Sequence, residues 1–398
     1  MKFAHIADCH IGSWRDPKLN NASTDAFIRV VDVCLEKKVD FIVIAGDLFN
    51  TSLPSIDHLK KITKKLKLLK DNHVPVYLVA GSHDFSASGK TMLDVLESAG
   101  LLINVVKGNI IDNKLNLRFT LDEKTGVKIT GLLGKKGMLE KSYYESLNKE
   151  ELEKEEGYKI FIFHSLLSEF KPKDMEKVDS SPLSLLPKNF NYYAGGHPHF
   201  VFQTKEKNYG TITYPGPLFP NNFAELEKLK KGGFYIVEKD NVEWYPIQIY
   251  NVFSIKVDAD HKNPEQIEKN ILDSIKDHEF NNTIVTIRVA GILESGKMSD
   301  IDFKSIFQKI YDKSAYFILK NTLGLKTKEF EEIKVQANSV EEIEDKLIKE
   351  HLGQVSISLD EEKLTKDLIN LLSSEKKEGE TISDFEKRLI GEITSVFS

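Results

Sequence analysis

Aspartate and histidine recur at the ends of short apolar runs in this sequence. KFAHIA (residues 2–7) is followed by Asp8-Cys9-His10, and DFIVIA (40–45) by Gly46-Asp47. PVYLVA (75–80) is followed by Gly81-Ser82-His83-Asp84, KIFIF (159–163) by His164, and YYA (192–194) by Gly195-Gly196-His197-Pro198-His199. Imidazole nitrogens mixed with carboxylate oxygens, without a thiolate cluster, suit Mn, Fe or Zn better than Ca or Mg. The donors are too many for one ion. They suit two ions about 3.5–4 Å apart, the arrangement that hydrolyses phosphate esters. Each motif alone also has an ordinary reading. Asp47 would serve as a helix N-cap and His83-Asp84 as a hydrogen-bonded turn; His5 reads as a core residue with a hydrogen-bond partner and Cys9 as a small apolar filler. The joint pattern carries the argument, because five separate accidents would not all fall at strand ends.

The elements that must position these residues alternate. Apolar runs at residues 2–7, 40–45 and 75–80 are separated by stretches with helical spacing at 24–37 and 55–72, and a further helix is expected over 90–99. Strands separated by helices imply βαβ units and a largely parallel sheet. In such sheets, sites form beyond the carboxyl ends of the strands. Residues 115–133 read as a hairpin and 139–156 as a charged helical stretch, before the buried strands at 159–163 and 192–194.

Beyond residue 250 a second pattern begins. Strands are expected at 251–258, 282–290 and 316–321, with helices at 264–276 and 302–313. GILESGK (291–297) approaches a phosphate-binding loop, but Met298 stands where Ser or Thr must hold Mg²⁺. A basic loop that touches a phosphate backbone through Lys297 is the more useful reading. From residue 339 the chain becomes charged and amphipathic, in EEIEDKLIKEHL, EKLTKDLINLLSSE and SDFEKRLIGEITSVF. Such helices are partner-binding elements or a tail folded back on the body.

Composition bounds the function. With 398 residues, two or three domains are expected. No apolar run reaches the 18 residues of a membrane span, and the N-terminus MKFAHIADCH lacks the apolar core of a signal peptide. Two cysteines, Cys9 and Cys34, exclude a disulfide framework and point to a reducing cytoplasm. A net charge of −6 argues against a protein coated in nucleic acid but leaves room for a local basic groove.

D-x-H, G-D, G-S-H-D, a lone His and G-H-x-H, in this order at strand ends, resemble the calcineurin-like metallophosphoesterase superfamily. Within it, MKFAHIADCHIG, FIVIAGDLFNTSLPS and YYAGGHPH with a later YPGPL resemble the double-strand-break repair nucleases of archaea and their bacterial relative SbcD. The motifs cover about residues 1–220. The resemblance implies an α/β fold: a four-layer β-sandwich flanked by helices (1–250), a small α+β capping and DNA-binding domain (251–335), and a helical tail (336–398) that grips an SMC-like coiled-coil ATPase. It implies two Mn²⁺ ions. Asp8, His10, Asp47 and His199 would hold one, and Asp47, His164 and His197 the other. Ser82 stands where the family usually places an Asn amide at the second metal, so that metal is expected to bind more loosely. His83 would bind no metal, face the scissile phosphate and help protonate the leaving oxygen. Asp84 would orient nearby imidazoles.

The implied activity is 3′-to-5′ exonuclease and endonuclease action on DNA ends by a cytoplasmic, nucleoid-associated protein. A phosphatase or cyclic-nucleotide phosphodiesterase with the same metals, and a DNA-end tether with an impaired nuclease, are the alternatives. The resemblance also implies a homodimer through the helices at 55–72 and 90–99. The stripe from Leu59 to Leu69 would form that contact, or would cover the protein's own sheet.

Overall fold

The computed structural model describes residues 1–86, 90–135, 141–327, 360–374, 376–377 and 380–397, which form two units divided at residue 328. The first unit is built on two six-stranded sheets. In chain order its elements begin with β1 (Lys2–Ile6), α1 (Ala22–Glu36), β2 (Phe41–Ala45), α2 (Ile56–Asp71), β3 (Val76–Val79), α3 (Met92–Ser98) and β4 (Ile103–Asn104). There follow β5 (Gly108–Ile111), β6 (Lys114–Leu117), β7 (Thr120–Leu121), β8 (Lys128–Leu132), α4 (Lys141–Glu145), α5 (Lys149–Lys154), β9 (Lys159–His164) and β10 (Tyr192–Gly196). Then come β11 (Phe202–Lys205), β12 (Thr211–Tyr214), α6 (Phe223–Leu229), β13 (Gly232–Glu238) and β14 (Asn241–Ile247).

The first sheet runs β14-β13-β1-β2-β3-β4 and the second β11-β12-β10-β9-β8-β7. Strands β1 to β4 are parallel, as are β8, β9, β10 and β12, so each sheet delivers several carboxyl ends to one edge. Strand β13 enters the first sheet late in the chain and pairs antiparallel with β1.

All five residues of β2 are buried, and their alternation assigns the layers. Phe41, Val43 and Ala45 join Phe3, Ile160, Ile162, Tyr192 and Ala194 in the core between the sheets. Ile42 and Ile44 face the other way, into a core with Val30 and Val31 of α1 and Ile62, Leu66 and Leu69 of α2. Phe161, Phe163 and Tyr193 of the second sheet turn outward onto Tyr144 and Leu152 of α4 and α5. The result is four layers, helix–sheet–sheet–helix. His5 lies between the sheets, with Nδ1 3.0 Å from both Tyr192 Oη and Thr213 Oγ1.

The expected hairpin at 115–133 divides. Strand β6 turns back to pair with β5, and β7 pairs with β8 at the edge of the second sheet. The charged stretch at 139–156 forms two short helices among its described residues.

A third sheet, β15 (Asn251–Asp258), β16 (Thr283–Leu293) and β17 (Phe317–Thr327), is parallel throughout. Its connections are α7 (Pro264–Ile275) and α8 (Phe303–Asp312). Asn263 and Gln266 form a reciprocal capping box at the start of α7, with Pro264 in the first turn. Ile267, Ile271, Ile306 and Ile310 pack on Val285, Ile287 and Val289. The opposite face of the sheet turns Val252, Ile284 and Leu319 toward the core that lies under α1 and α2. GILESGK is the end of β16 and a loop, followed by a 3₁₀ turn over Met298–Asp300 instead of the helix a phosphate loop requires.

In the second unit, α9 (Glu361–Leu372) and α10 (Ile382–Val396) pack on each other. The motif EEIEDKLIKEHL lies outside the described residues.

The apolar stripe of α2 covers the protein's own sheet. Ile62, Leu66 and Leu69 have no solvent exposure, because their spacing places them on one face against α1 and β2. They are not a surface for another copy. Leu66→Ala is accordingly expected to destabilise the fold by about 2–5 kcal/mol in chemical denaturation, an effect a surface residue would not give.

Candidate metal centre

The carboxyl ends of β1, β2, β3, β9 and β10 bring the sequence-nominated residues to one cluster. Each carboxylate is set by backbone N–H groups of a neighbouring strand end. The N–H of His197 donates to both oxygens of Asp8, at 3.0 and 3.1 Å. The N–H of His83 donates to Asp47 Oδ1 at 2.7 Å. Asp47 Oδ2 is left facing two imidazoles, 3.2 Å from His164 Nε2 and 3.6 Å from His10 Nε2.

The backbone is bent to achieve this. Asp8, His10, Asp47 and His197 all have positive φ, at 49°, 42°, 51° and 94°. Such backbone costs about 1–3 kcal/mol per residue and clusters at functional sites. It is held by hydrogen bonds between strand ends, from Asp8 N to Gly46 O, His10 N to Asp47 O and Ile11 N to Leu48 O. The glycines make room. A Cβ at Gly46, itself at φ 80°, would lie 2.1 Å from His164 Nδ1, and one at Gly81 would lie 2.2 Å from Asp47 Oδ1.

The donor set fits divalent cations. His10 Nε2 and His199 Nε2 approach to 3.1 Å, where neutral imidazoles would either share one proton or oppose their lone pairs. His164 Nε2 is buried and finds no well-aligned hydrogen-bond partner among the described residues, although Asp47 Oδ2 lies 3.2 Å away. Asp8, His10 and His199 present ligand atoms within 4.8 Å of one another, as do Asp8, Asp47 and His164, and also His10, Asp47 and His83. His197 joins none of these groups; its ring lies 5.1 Å from that of His164.

Electrostatics point the same way. Burial lowers His10 to about 3 and His197 to about 4, which keeps both imidazoles neutral and able to donate lone pairs. Burial raises the Asp8 carboxyl, a charge that a cation would restore. Burial alone would raise Asp47 too, but the His164 charge beside it outweighs this and holds it far below the usual carboxylate range. His164 is raised in turn, with burial opposing and Asp47 prevailing. Two buried acids in a cluster of imidazoles are well matched to metal charge.

Three imidazoles are tied down through their other nitrogen. His164 Nδ1 lies 2.9 Å from Ala45 O, His83 Nδ1 2.9 Å from Asn50 O, and His199 Nδ1 2.9 Å from Glu225 Oε1. This fixes which nitrogen each ring turns to the cluster. Glu225 escaped the sequence reading. It sits in no strand-end motif, and its only signal is its place three residues after Asn222 at the start of a helix.

Asp84 requires a correction. The sequence pattern predicts that it orients imidazoles. Its carboxylate instead accepts from the backbone N–H groups of Leu48, Phe49 and Gly81, at 3.1, 3.0 and 3.0 Å. It clamps the loop that carries Asp47 to the loop that carries His83. Burial and the Asp47 charge push it up to about 7. Ser82, with His10, Asp47, His83, His197 and His199, lines a cavity of about 310 Å³ whose outer wall includes Leu166, Met175 and Val178. Lys297 is exposed on the third sheet's loop and does not line this cavity.

Comparison with known proteins follows the same lines. Residues 1–200 match the family described as Calcineurin-like phosphoesterase. The chain is 29% identical over 299 residues to the DNA double-strand break repair protein Mre11 of Archaeoglobus fulgidus, covering 69% of this chain and 65% of that protein. It is 25% identical over 369 residues to the protein of the same name from Methanococcus maripaludis, covering 88% of this chain and 91% of the relative. It is also 26% identical over 265 residues to one of the subunits of the nuclease SbcCD from Staphylococcus epidermidis, covering 61% of this chain and 67% of the relative.

Asp84→Asn keeps the shape but leaves one strong acceptor for three N–H groups. It is expected to weaken metal binding by on the order of 10–100-fold, read by calorimetric Mn²⁺ titration of a protein whose circular dichroism is unchanged.

Proposed function

Because this chain belongs to the calcineurin-like phosphoesterase family, we propose that it is a two-metal DNA phosphodiesterase that processes double-strand breaks. The observation that carries this reading is the shared carboxylate. Asp47 Oδ2 faces His10 on one side and His164 on the other, so one carboxylate would serve both halves of the donor set. The likeness to double-strand break repair proteins and to a nuclease subunit supplies the substrate class.

Asp8, His10, Asp47 and His199 would hold one ion. Asp47, His164 and His197 would hold the other, with the Ser82 hydroxyl at its edge. Divalent ions there, manganese by our reading of the nitrogen and oxygen donors, would supply a hydroxide nucleophile near neutral pH and would neutralise charge on the phosphate. The protein's own groups do the rest. Gly46 and Gly81 let the strand ends close around the ligands, and Asp84 keeps Asp47 and His83 in register. His83 turns Nε2 toward the cavity because Asn50 O holds its Nδ1. Since Nδ1–H donates to that carbonyl, Nε2 carries a proton only when the ring is an imidazolium; in that form it would hydrogen-bond a phosphate oxygen and pass this proton to the leaving 3′ or 5′ oxygen.

The other parts take roles consistent with this reading. The β15–β17 layer would contact the DNA backbone, with Lys297 as one such contact. The paired helices α9 and α10 leave Leu372, Ile382 and Ile390 exposed, a surface for the coiled coil of an SMC-like ATPase. A homodimer uses Leu53, Ile56 and Val95, which are 70%, 81% and 57% exposed. They lie on segments joined by the Met92 N to Ser52 O hydrogen bond. No described helix is long and apolar enough to cross a membrane.

The deciding experiment is metal analysis and a nuclease assay on the purified chain. Mn²⁺-dependent cleavage of duplex ends, abolished by a chelator, is expected. Asp47→Ala and His164→Ala should each lower it by at least about 10³-fold without unfolding the protein. Full activity in either would remove the two-metal reading. Hydrolysis of small phosphoesters alone would favour a phosphatase, and DNA binding without cleavage a tether.

Ser82 gives a finer test. A hydroxyl is a weaker and shorter donor than an amide. Ser82→Asn should therefore lower the Mn²⁺ concentration for half-maximal activity, by up to about 10–100-fold. Two equally tight sites in the natural protein, unchanged by the substitution, would show that Ser82 is a full replacement.

A further inference from the structure

The helix α6 touches the metal cluster on one side and the third sheet on the other. Glu225 and Glu227 are two positions apart, which on a helix places them on different faces. Glu225 Oε1 accepts from His199 Nδ1 at 2.9 Å. The same carboxylate is fixed to its own helix, accepting from the Asn221 N–H at 2.8 Å and from Asn222 Nδ2 at 2.6 Å. It therefore moves with α6.

The other face grips β16. Arg288 donates from Nε and Nη2 to Glu227 Oε2, at 2.9 and 2.6 Å. Its guanidinium stands 5.0 Å from the centre of the Phe223 ring, one helical turn before Glu227. Arg288 is available because it lies on the face of β16 shared with Ile284 and Thr286, opposite Val285, Ile287 and Val289. The Glu227 side chain is 6% exposed, and its second oxygen is buried with no hydrogen-bond partner among the described residues. Arg288 is thus the charge that makes this buried carboxylate tolerable. Leu226, fully buried, holds the helix between the two contacts.

We propose that α6 is a lever that couples the position of the β15–β17 layer to the metal ligand His199, with Glu225 as a positioning residue and Glu227–Arg288 as the strut. The proposal rests on the two-metal reading above. A shift of the third sheet carries Arg288, Arg288 carries Glu227, and the helix turns the imidazole of His199 through Glu225. Coupling of this kind is reciprocal. Whatever moves the third sheet changes affinity at the His199 metal, and metal bound there restrains the third sheet.

The test uses the full chain and Mn²⁺ itself. Glu225→Gln is expected to weaken the site containing His199 by on the order of 10–100-fold in calorimetric titration, with the other site unchanged. The double variant Glu227→Gln/Arg288→Met removes the strut without leaving a buried charge. It should weaken the same site by roughly 2- to 30-fold, although neither residue touches a metal ligand. In the natural protein, Mn²⁺ should also slow amide hydrogen exchange in β16, and in the double variant that slowing should be lost. Arg288→Lys keeps the charge but gives up the forked contact. If the double variant does not fold, the lysine variant is read in the same way. A folded strut variant with both affinities and the exchange response of the natural protein overturns the lever. So does a Glu225→Gln protein with natural affinity, since the route passes through that residue. A natural protein that binds no Mn²⁺ overturns the metal reading itself, and the lever with it.

Discussion

One carboxylate has to satisfy three strand ends. Asp47 leaves β2, takes the N–H of His83 from the end of β3 on one oxygen, and turns the other toward His10 after β1 and His164 at the end of β9. The ends of β1, β2 and β3 belong to one sheet and that of β9 to the other. The contact is possible because the core between the sheets is thin where they meet the site. Ala7 and Ala45 stand at the site end of that core, whereas Phe3, Phe41 and Tyr192 fill the end away from it, where β1, β2 and β10 begin. Small residues there let Ala45 O reach His164 Nδ1 across the gap. A larger side chain at position 45 would separate the halves of the site, even though it touches no ligand.

The same crowding explains the backbone. Four residues in the left-handed region would be a liability in an ordinary loop. Here the turned backbone points N–H groups at carboxylates and side chains into one volume. The strain is offset by the sheets behind it, whose buried strands leave the loops few other paths. Stability built in the cores is spent on geometry at the edge.

Much of this was legible in the sequence, and the reason is physical. A strand buried on both faces must be a near-continuous apolar run, so the polar residue that ends it stands out. FIVIA ending at Gly46-Asp47, and KIFIF ending at His164, are such runs. What could not be read were contacts between distant segments. Glu225 meets His199 through space and not through sequence, and nothing near position 225 announces a partner for an imidazole. Asp84 was placed in the site, but its partners proved to be backbone groups, which have no signature in sequence. The α2 stripe was ambiguous for a different reason: a face that packs on the protein's own sheet and one that packs on another copy carry the same periodicity. The hairpin expected over 115–133 forms between β7 and β8, while β6, two residues after β5, pairs with that nearer strand instead.

The strand next to β1 is β13, which arrives only at residues 232–238. Until that stretch has been synthesised, β1 is an edge strand with one parallel neighbour, and the sheet that carries Asp8 and Asp47 is incomplete. His197 and His199 also come late, from the end of β10. A nascent chain emerging from the ribosome therefore exposes its first strands long before the acids and imidazoles of the candidate centre can come together. Contacts of such long sequence separation slow folding. They also mean that truncated products of interrupted translation, ending between residue 199 and β13, carry every candidate ligand while β1 still lacks its antiparallel neighbour.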